Sequence, residues 1–119
     1  MMSILIADDD RRYSDSIRKV FEREGYRVEC AGDVGSALKA MHAHPFDLVV
    51  CDYRMPGRSG LELLEELKRE HSKVPVVMIS AFIDTAMEAR ALELGAVGLM
   101  RKPVRRRELI EGAARVVGG

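Results

Sequence analysis

A doubly wound α/β sandwich is the fold class this sequence predicts, with a five-stranded parallel sheet of order 2-1-3-4-5 between two layers that share five helices. Two observations carry most of that expectation. Short apolar runs of strand type alternate from end to end with longer segments whose apolar residues recur three and four apart, so strands and helices take turns. The first, third and fourth runs are continuously apolar, as strands buried on both faces of a parallel sheet are. Right-handed crossovers then put helices on both sides of the sheet, and five βα units suit that strand order.

The first strand, residues 3–7, carries Ile4-Leu5-Ile6-Ala7 and runs into Asp8-Asp9-Asp10. A helix over 11–24 follows and meets Gly25, suited to the left-handed position that ends a helix. The second strand, 27–31, leads to Asp33, whose carboxylate can cap a helix over 34–43. The third strand, 48–51, holds Leu48-Val49-Val50-Cys51 and gives way to Asp52 and the turn-forming Tyr53-Arg54-Met55-Pro56-Gly57. The third helix, 59–70, carries Gly60 near its start, and Pro75 precedes the fourth strand, 76–80; neither residue breaks an element there. Asp84 can cap a helix over 84–94, Gly95 ends it, and a fifth strand (97–100) and helix (105–116) complete the pattern. Gly118-Gly119 reads as the beginning of a linker.

At 119 residues, 47% of them hydrophobic, the chain is expected to form one domain over residues 1–119 with a core that needs neither metal nor disulfide. Lysine plus arginine equal aspartate plus glutamate at 19 each, so bulk charge gives no reason to expect nucleic acid or membrane as a partner. Cys30 and Cys51 lie in predicted strands and are expected as buried, reduced thiols of a cytoplasmic protein. No leader-like segment or run of membrane-spanning length occurs, so a soluble intracellular chain is expected. The seven methionines suit core filling, and His42, His44 and His71 lack ligand spacing.

The chemistry gathers at the strand ends. If the strands are parallel, Asp8 and Asp9 after the first, Asp52 after the third, Ser80 at the fourth and Lys102 after the fifth meet at the sheet edge where open α/β folds place their ligands. Taken alone, Asp8-Asp9-Asp10 reads equally well as a helix cap with solvated charge. With Asp52 beside them in the same crevice, the aspartates form a set of hard oxygen ligands suited to Mg²⁺ or Mn²⁺. A bound ion would leave Asp52 able to attack phosphorus as a nucleophile. Phosphoryl transfer asks for positioning and charge stabilisation, which Lys102, followed by Pro103, and the Ser80 hydroxyl can supply. Each of these two residues alone reads as an ordinary strand-end side chain.

Four segments together carry a resemblance. Ile4-Leu5-Ile6-Ala7-Asp8-Asp9-Asp10, Val49-Val50-Cys51-Asp52-Tyr53-Arg54-Met55-Pro56-Gly57, Val77-Met78-Ile79-Ser80-Ala81 and Lys102-Pro103, in this order and spacing, resemble the CheY-like receiver domains of two-component response regulators. The likeness covers essentially the whole chain. It implies the flavodoxin-like form of the doubly wound fold. Asp52 is then the acceptor of a phosphoryl group from a sensor histidine kinase or phosphotransfer protein, and the phosphorylated domain switches conformation to control a downstream partner or output domain. It further implies that Asp9, Asp52 and the backbone carbonyl of Arg54 ligate Mg²⁺, with Asp8 acting mainly through water. Ser80 and Lys102 would bind the phosphoryl oxygens, and the peptide bond between Lys102 and Pro103 would be cis. By the same likeness the chain is no enzyme beyond its own phosphorylation and dephosphorylation. Leu99 stands where the family often has phenylalanine or tyrosine, and Val104 where it usually has phenylalanine.

Other functions fit less well. Asp8 and Asp10 have the spacing of haloacid-dehalogenase-type phosphatases, but Arg12 stands where threonine or valine is expected, and the chain is short for an enzyme with a substrate cap. An FMN binder needs hydroxyls, glycines and free amides in the first turn, where three aspartates would repel the cofactor. A phosphorylation-independent receiver-shaped interaction module need not keep the full set of Asp8, Asp9, Asp52, Ser80 and Lys102. Arg101, Lys102, Arg105, Arg106 and Arg107 concentrate positive charge without interleaved aromatics, which favours a solvated or protein-binding face over nucleic acid. The resemblance points to helix four, strand five and helix five as the surface for a homodimer or output contact.

Overall fold

The computed structural model describes residues 1–118. Five strands, β1 (Ser3–Ala7), β2 (Arg27–Ala31), β3 (Leu48–Asp52), β4 (Val76–Ser80) and β5 (Gly98–Arg101), alternate with five helices, α1 (Arg11–Arg23), α2 (Val34–Ala43), α3 (Gly60–Arg69), α4 (Thr85–Glu93) and α5 (Arg106–Gly118). All strand pairs are parallel and the order is β2-β1-β3-β4-β5, as the alternation of periods predicts. Gly118, expected to open a linker, closes α5, and Gly119 lies outside the described residues.

Strand parity divides the core in two. Ile4 and Ile6, Leu48 and Val50, and Val77 and Ile79 face one side, where Ile17 and Phe21 of α1 and Leu109 and Ala113 of α5 cover them. Leu5 and Ala7, Val49 and Cys51, and Val76 and Met78 face the other, against Val34 and Ala37 of α2, Leu63, Leu64 and Leu67 of α3, and Ala91 of α4. The central strands bury side chains on both faces, which is why their sequences run continuously apolar. Burying a side chain of Leu, Ile or Val size stabilises the fold by roughly 1.5–3 kcal/mol, so these two layers dominate folding.

The expected caps at Asp33 and Asp84 are in place, and Ser59, expected inside the third helix, is a cap as well. Asp10, Asp33, Ser59 and Asp84 cap the first four helices by accepting backbone N–H bonds, Ser59 within a reciprocal capping box with Glu62. Gly25 and Gly95 take positive φ past α1 and α4. Gly60, the first residue of α3, has no room for a side chain, because a Cβ there would run into the carbonyl oxygen of Asp52. Helix and strand ends otherwise move by one or two residues from the predicted bounds. β3 extends to include Asp52, because its ladder with β4 continues as far as the Asp52–Ile79 pair.

Cys51 is buried as expected, but Cys30 is exposed. Cys30 pairs in register with Ile6 from the edge strand β2, where no further strand lies outside it and its α1 neighbours are the charged Asp15, Arg18 and Glu22. A place in a strand therefore does not guarantee burial at a sheet edge. His42 and His44 bring Nε2 to 3.0 and 3.3 Å from the carboxylates of Glu70 and Glu29 at the surface. Among the described residues, no helix is long and apolar enough to cross a membrane.

Candidate functional site

The carboxyl ends of the parallel strands bring the expected groups to one edge. Asp8 follows β1, Asp52 ends β3, Ser80 ends β4, and Lys102 follows β5, whose Arg101 pairs with Ser80. One carboxylate oxygen from each of Asp8, Asp9 and Asp52 lies within 4.8 Å of the other two. Asp8 and Asp52 are buried whereas Asp9 is exposed, so the cluster has a wet side and a dry side.

Lys102 reaches into this cluster. Its Nζ lies 2.9 Å from Asp52 Oδ2, to which it donates a hydrogen bond, and 2.9 Å from Asp8 Oδ2. The second contact is a close ion pair, and apart from it Asp8 Oδ2 is buried with no hydrogen-bond partner among the described residues. Asp8 Oδ1, by contrast, accepts the backbone N–H of Asp10 at 2.9 Å. Burial pushes the Asp8 carboxyl above its ordinary range, and the bond from Asp10 and the nearby ammonium pull back only in part. For Lys102 burial opposes the charged form, yet the Asp52 and Asp8 carboxylates outweigh it and hold the ammonium above its usual range. Lys102 thus leaves the solvated basic group in which the sequence counted it, while Arg101, Arg105, Arg106 and Arg107 stay exposed.

Arg54 lies against the same carboxylate, its amide N–H donating to Asp52 Oδ1 at 3.3 Å. The Ser80 hydroxyl is buried but turned into its own loop: it donates to the Phe82 carbonyl at 2.7 Å and accepts the Phe82 N–H at 3.2 Å. Asp52, Arg54, Ser80, Ala81, Phe82 and Lys102 line a cleft of about 290 Å³, and Phe82 is 65% exposed at its mouth. Lys102 and Pro103 are joined by a cis peptide bond.

Sequence reading missed Tyr13. This α1 residue places its ring beneath the Lys102 ammonium, 4.6 Å from Nζ to the ring centre, and its hydroxyl accepts the Val104 N–H at 3.0 Å. Its burial raises the phenol above its ordinary value, so it stays neutral at physiological pH. Only its place one helical turn beyond Asp9 could have pointed to it.

An acidic cluster able to hold a cation, a carboxylate at a strand end and a lysine ammonium upon it are the parts that anionic group transfer requires. Comparison with known proteins agrees with that chemistry. Residues 4–114 match the family model described as response regulator receiver domain. The chain is 34% identical over 115 residues to the transcriptional regulatory protein FixJ of Bradyrhizobium diazoefficiens, covering 94% of this chain and 56% of that protein, so it spans little more than half of that relative. Among solved structures it is similar to a CheY-like response regulator receiver domain protein from Methanospirillum hungatei, with TM-score 0.94, 30% identity and 99% and 94% of the two chains covered. It is likewise similar to the receiver domain of NtrX from Brucella abortus, with TM-score 0.90, 33% identity and 97% and 98% covered.

Proposed function

The chain belongs to the family of response regulator receiver domains, and on that premise we propose that Asp52 is its phosphoacceptor. The observation that carries the reading is the carboxylate of Asp52 at the floor of a cleft, 2.9 Å from Lys102 Nζ and grouped with Asp8 and Asp9. The donor is a phosphohistidine of a sensor kinase or phosphotransfer protein. An oxygen of Asp52 forms the new bond to phosphorus while the bond from phosphorus to the imidazole nitrogen breaks, and the nitrogen keeps that electron pair. Lys102 offsets the charge gathering on the phosphoryl oxygens and must loosen its hold on Asp52 to do so. Ser80 contributes a second donor once its hydroxyl leaves Phe82.

The residues present fit a divalent cation. Three carboxylates converge, one of them on the solvent side, and a buried oxygen of Asp8 has no directional hydrogen bond. Asp8, Asp9, Asp52 and the backbone carbonyl of Arg54 would hold Mg²⁺, or Mn²⁺. When bound, the ion screens the carboxylates from an incoming anionic phosphoryl group. The domain's chemistry is confined to its own phosphorylation and dephosphorylation, and its output is a change of conformation read by a partner. The face of α4, β5 and α5, where Leu92 and Val97 are exposed near the end of α4 and the start of β5 and Arg105, Arg106 and Arg107 are exposed at the start of α5, is the surface for a second copy or an output domain.

Incubation with Mg²⁺ and acetyl phosphate tests the assignment, with intact mass as the readout. One added phosphoryl group is expected, absent from Asp52→Asn and from samples stripped of divalent ions. An adduct that survives Asp52→Asn defeats the assignment. Consumption of the donor over many turnovers without any adduct points to a phosphatase instead.

A further inference from the structure

Two carboxylates alone do not define where Lys102 sits through a phosphoryl transfer. Its ammonium lies 2.9 Å from both Asp52 Oδ2 and Asp8 Oδ2, and the Asp52 half of that cradle is the half that reacts. Tyr13 is a contact to Lys102 that lies outside the reacting carboxylates. Its ring face lies 4.6 Å from Nζ, within the distance at which an aromatic quadrupole attracts a cation. The same side chain also holds the backbone that carries the lysine. Pro103 has no N–H, so the Val104 N–H is the first backbone donor after Lys102, and it is given to the Tyr13 hydroxyl at 3.0 Å. One residue of α1 therefore grips both ends of the Lys102 unit, the ammonium from below and the chain just beyond it.

We infer that Tyr13 is a positioning residue for Lys102 in phosphoryl transfer to Asp52, chiefly through the seat its ring gives the ammonium, with the hydroxyl bond to Val104 the smaller part. The inference rests on the phosphoacceptor reading given above. Tyr13 also packs against the α1 and α5 side of the core, so a purely structural role predicts a different pattern of variants. A space-filling residue is replaced almost equally well by leucine or phenylalanine. A cation seat is replaced by phenylalanine only.

The experiment measures the rate of adduct formation from acetyl phosphate and Mg²⁺ by intact mass for the unsubstituted protein, Tyr13→Phe and Tyr13→Leu. Tyr13→Leu is repeated on a Lys102→Ala background, followed for long enough to resolve slow rates. Tyr13→Leu should slow the reaction by roughly 2- to 5-fold, the range expected from loss of a partly exposed cation–aromatic contact, and Tyr13→Phe should recover most of that. On Lys102→Ala the leucine substitution should change nothing. Equal slowing by the two Tyr13 variants, or the same slowing with and without Lys102, overturns the inference and leaves Asp52 as acceptor untouched. Failure of the unsubstituted protein to form any adduct removes the phosphoacceptor reading and this inference with it.

Discussion

Replacing Gly60 by alanine should harm this protein, although the same change normally helps a helix. Alanine within a helix is favoured over glycine by about 1 kcal/mol. Against that gain stands the space at the start of α3. A Cβ on Gly60 would collide with the carbonyl oxygen of Asp52 and come within 2.7 Å of Met78 Cε and 3.1 Å of Cys51 Sγ. Methionine can swing aside, but the Asp52 carbonyl belongs to the last residue of β3 and cannot move without the strand end. Overpacking costs about 1–3 kcal/mol, and a clash against backbone belongs to the upper part of that range, about 2–3 kcal/mol, so the net loss should be about 1–2 kcal/mol once the helical gain is subtracted. For a domain of this size that is a fall in Tm of about 4–8 °C. Gly112→Ala is the matched control, since a Cβ there meets only the flexible Met100 Cε at 2.5 Å; it should be neutral, or more stable by up to about 1 kcal/mol. Urea unfolding of both variants supplies the numbers, and adduct formation from acetyl phosphate reports on Asp52. Gly60→Ala as stable as the unsubstituted protein, with an unchanged rate, would refute the argument that glycine is held there by the approach of α3 to the strand end.

Asp8→Asn should stabilise the domain at neutral pH, by on the order of 1 kcal/mol, because it removes a buried charge that Lys102 offsets only in part. The sign follows from the raised carboxyl: the folded state binds that proton more tightly than the unfolded chain, so ionised Asp8 costs stability above its folded value and nothing below the ordinary value of 3.8. The advantage of Asp8→Asn, read by urea unfolding across pH, should therefore shrink as pH falls toward 3.8; an advantage that grows on acidification contradicts it. Arg54 and Phe82 flank the cleft through which water must reach a phosphoryl group on Asp52. The Arg54→Asn, Phe82→Gly double variant should lose the adduct several-fold faster in a decay assay by mass, and an unchanged decay would rule out their bulk as the barrier to water.

The fold was legible because its core is two-sided: Ile4 to Ala7, Leu48 to Cys51 and Val76 to Met78 bury every side chain, and a continuous apolar run is a signature that few other elements write. Caps at Asp33 and Asp84 and the left-handed Gly25 and Gly95 act within a few residues of themselves, so they too could be read locally. The positions of Asp8, Asp52, Ser80 and Lys102 followed from topology, since every one of them stands at a strand end. What could not be read were contacts between elements distant in sequence. Tyr13 meets Lys102 and Val104 across some ninety residues, and its ring is indistinguishable in sequence from any apolar position on a helix. Cys30 shows the converse: it lies in a strand as expected, between Glu29 and Ala31, but its exposure is decided by the absence of a strand beyond β2. The turn of the Ser80 hydroxyl into the Phe82 backbone is likewise a choice of rotamer that no sequence pattern states.

The parity that splits each central strand between two cores has a consequence for how the molecule tolerates change. Leu5, Val49 and Met78 serve one layer, Ile4, Val50 and Ile79 the other, and the reacting groups come one step later, at the rim where neither layer continues. Chemistry and cohesion are therefore inherited separately. Asp52, Ser80 or Lys102 can be altered without opening a hole in either core, and the cores can drift in volume-conserving steps without touching the carboxylates. Gly60 is a junction between the two, where a helix start leans on the backbone of the acceptor itself. A lineage built on this plan is free to retune its reactivity and its stability one at a time, provided that a single hydrogen atom stays where a side chain would otherwise be.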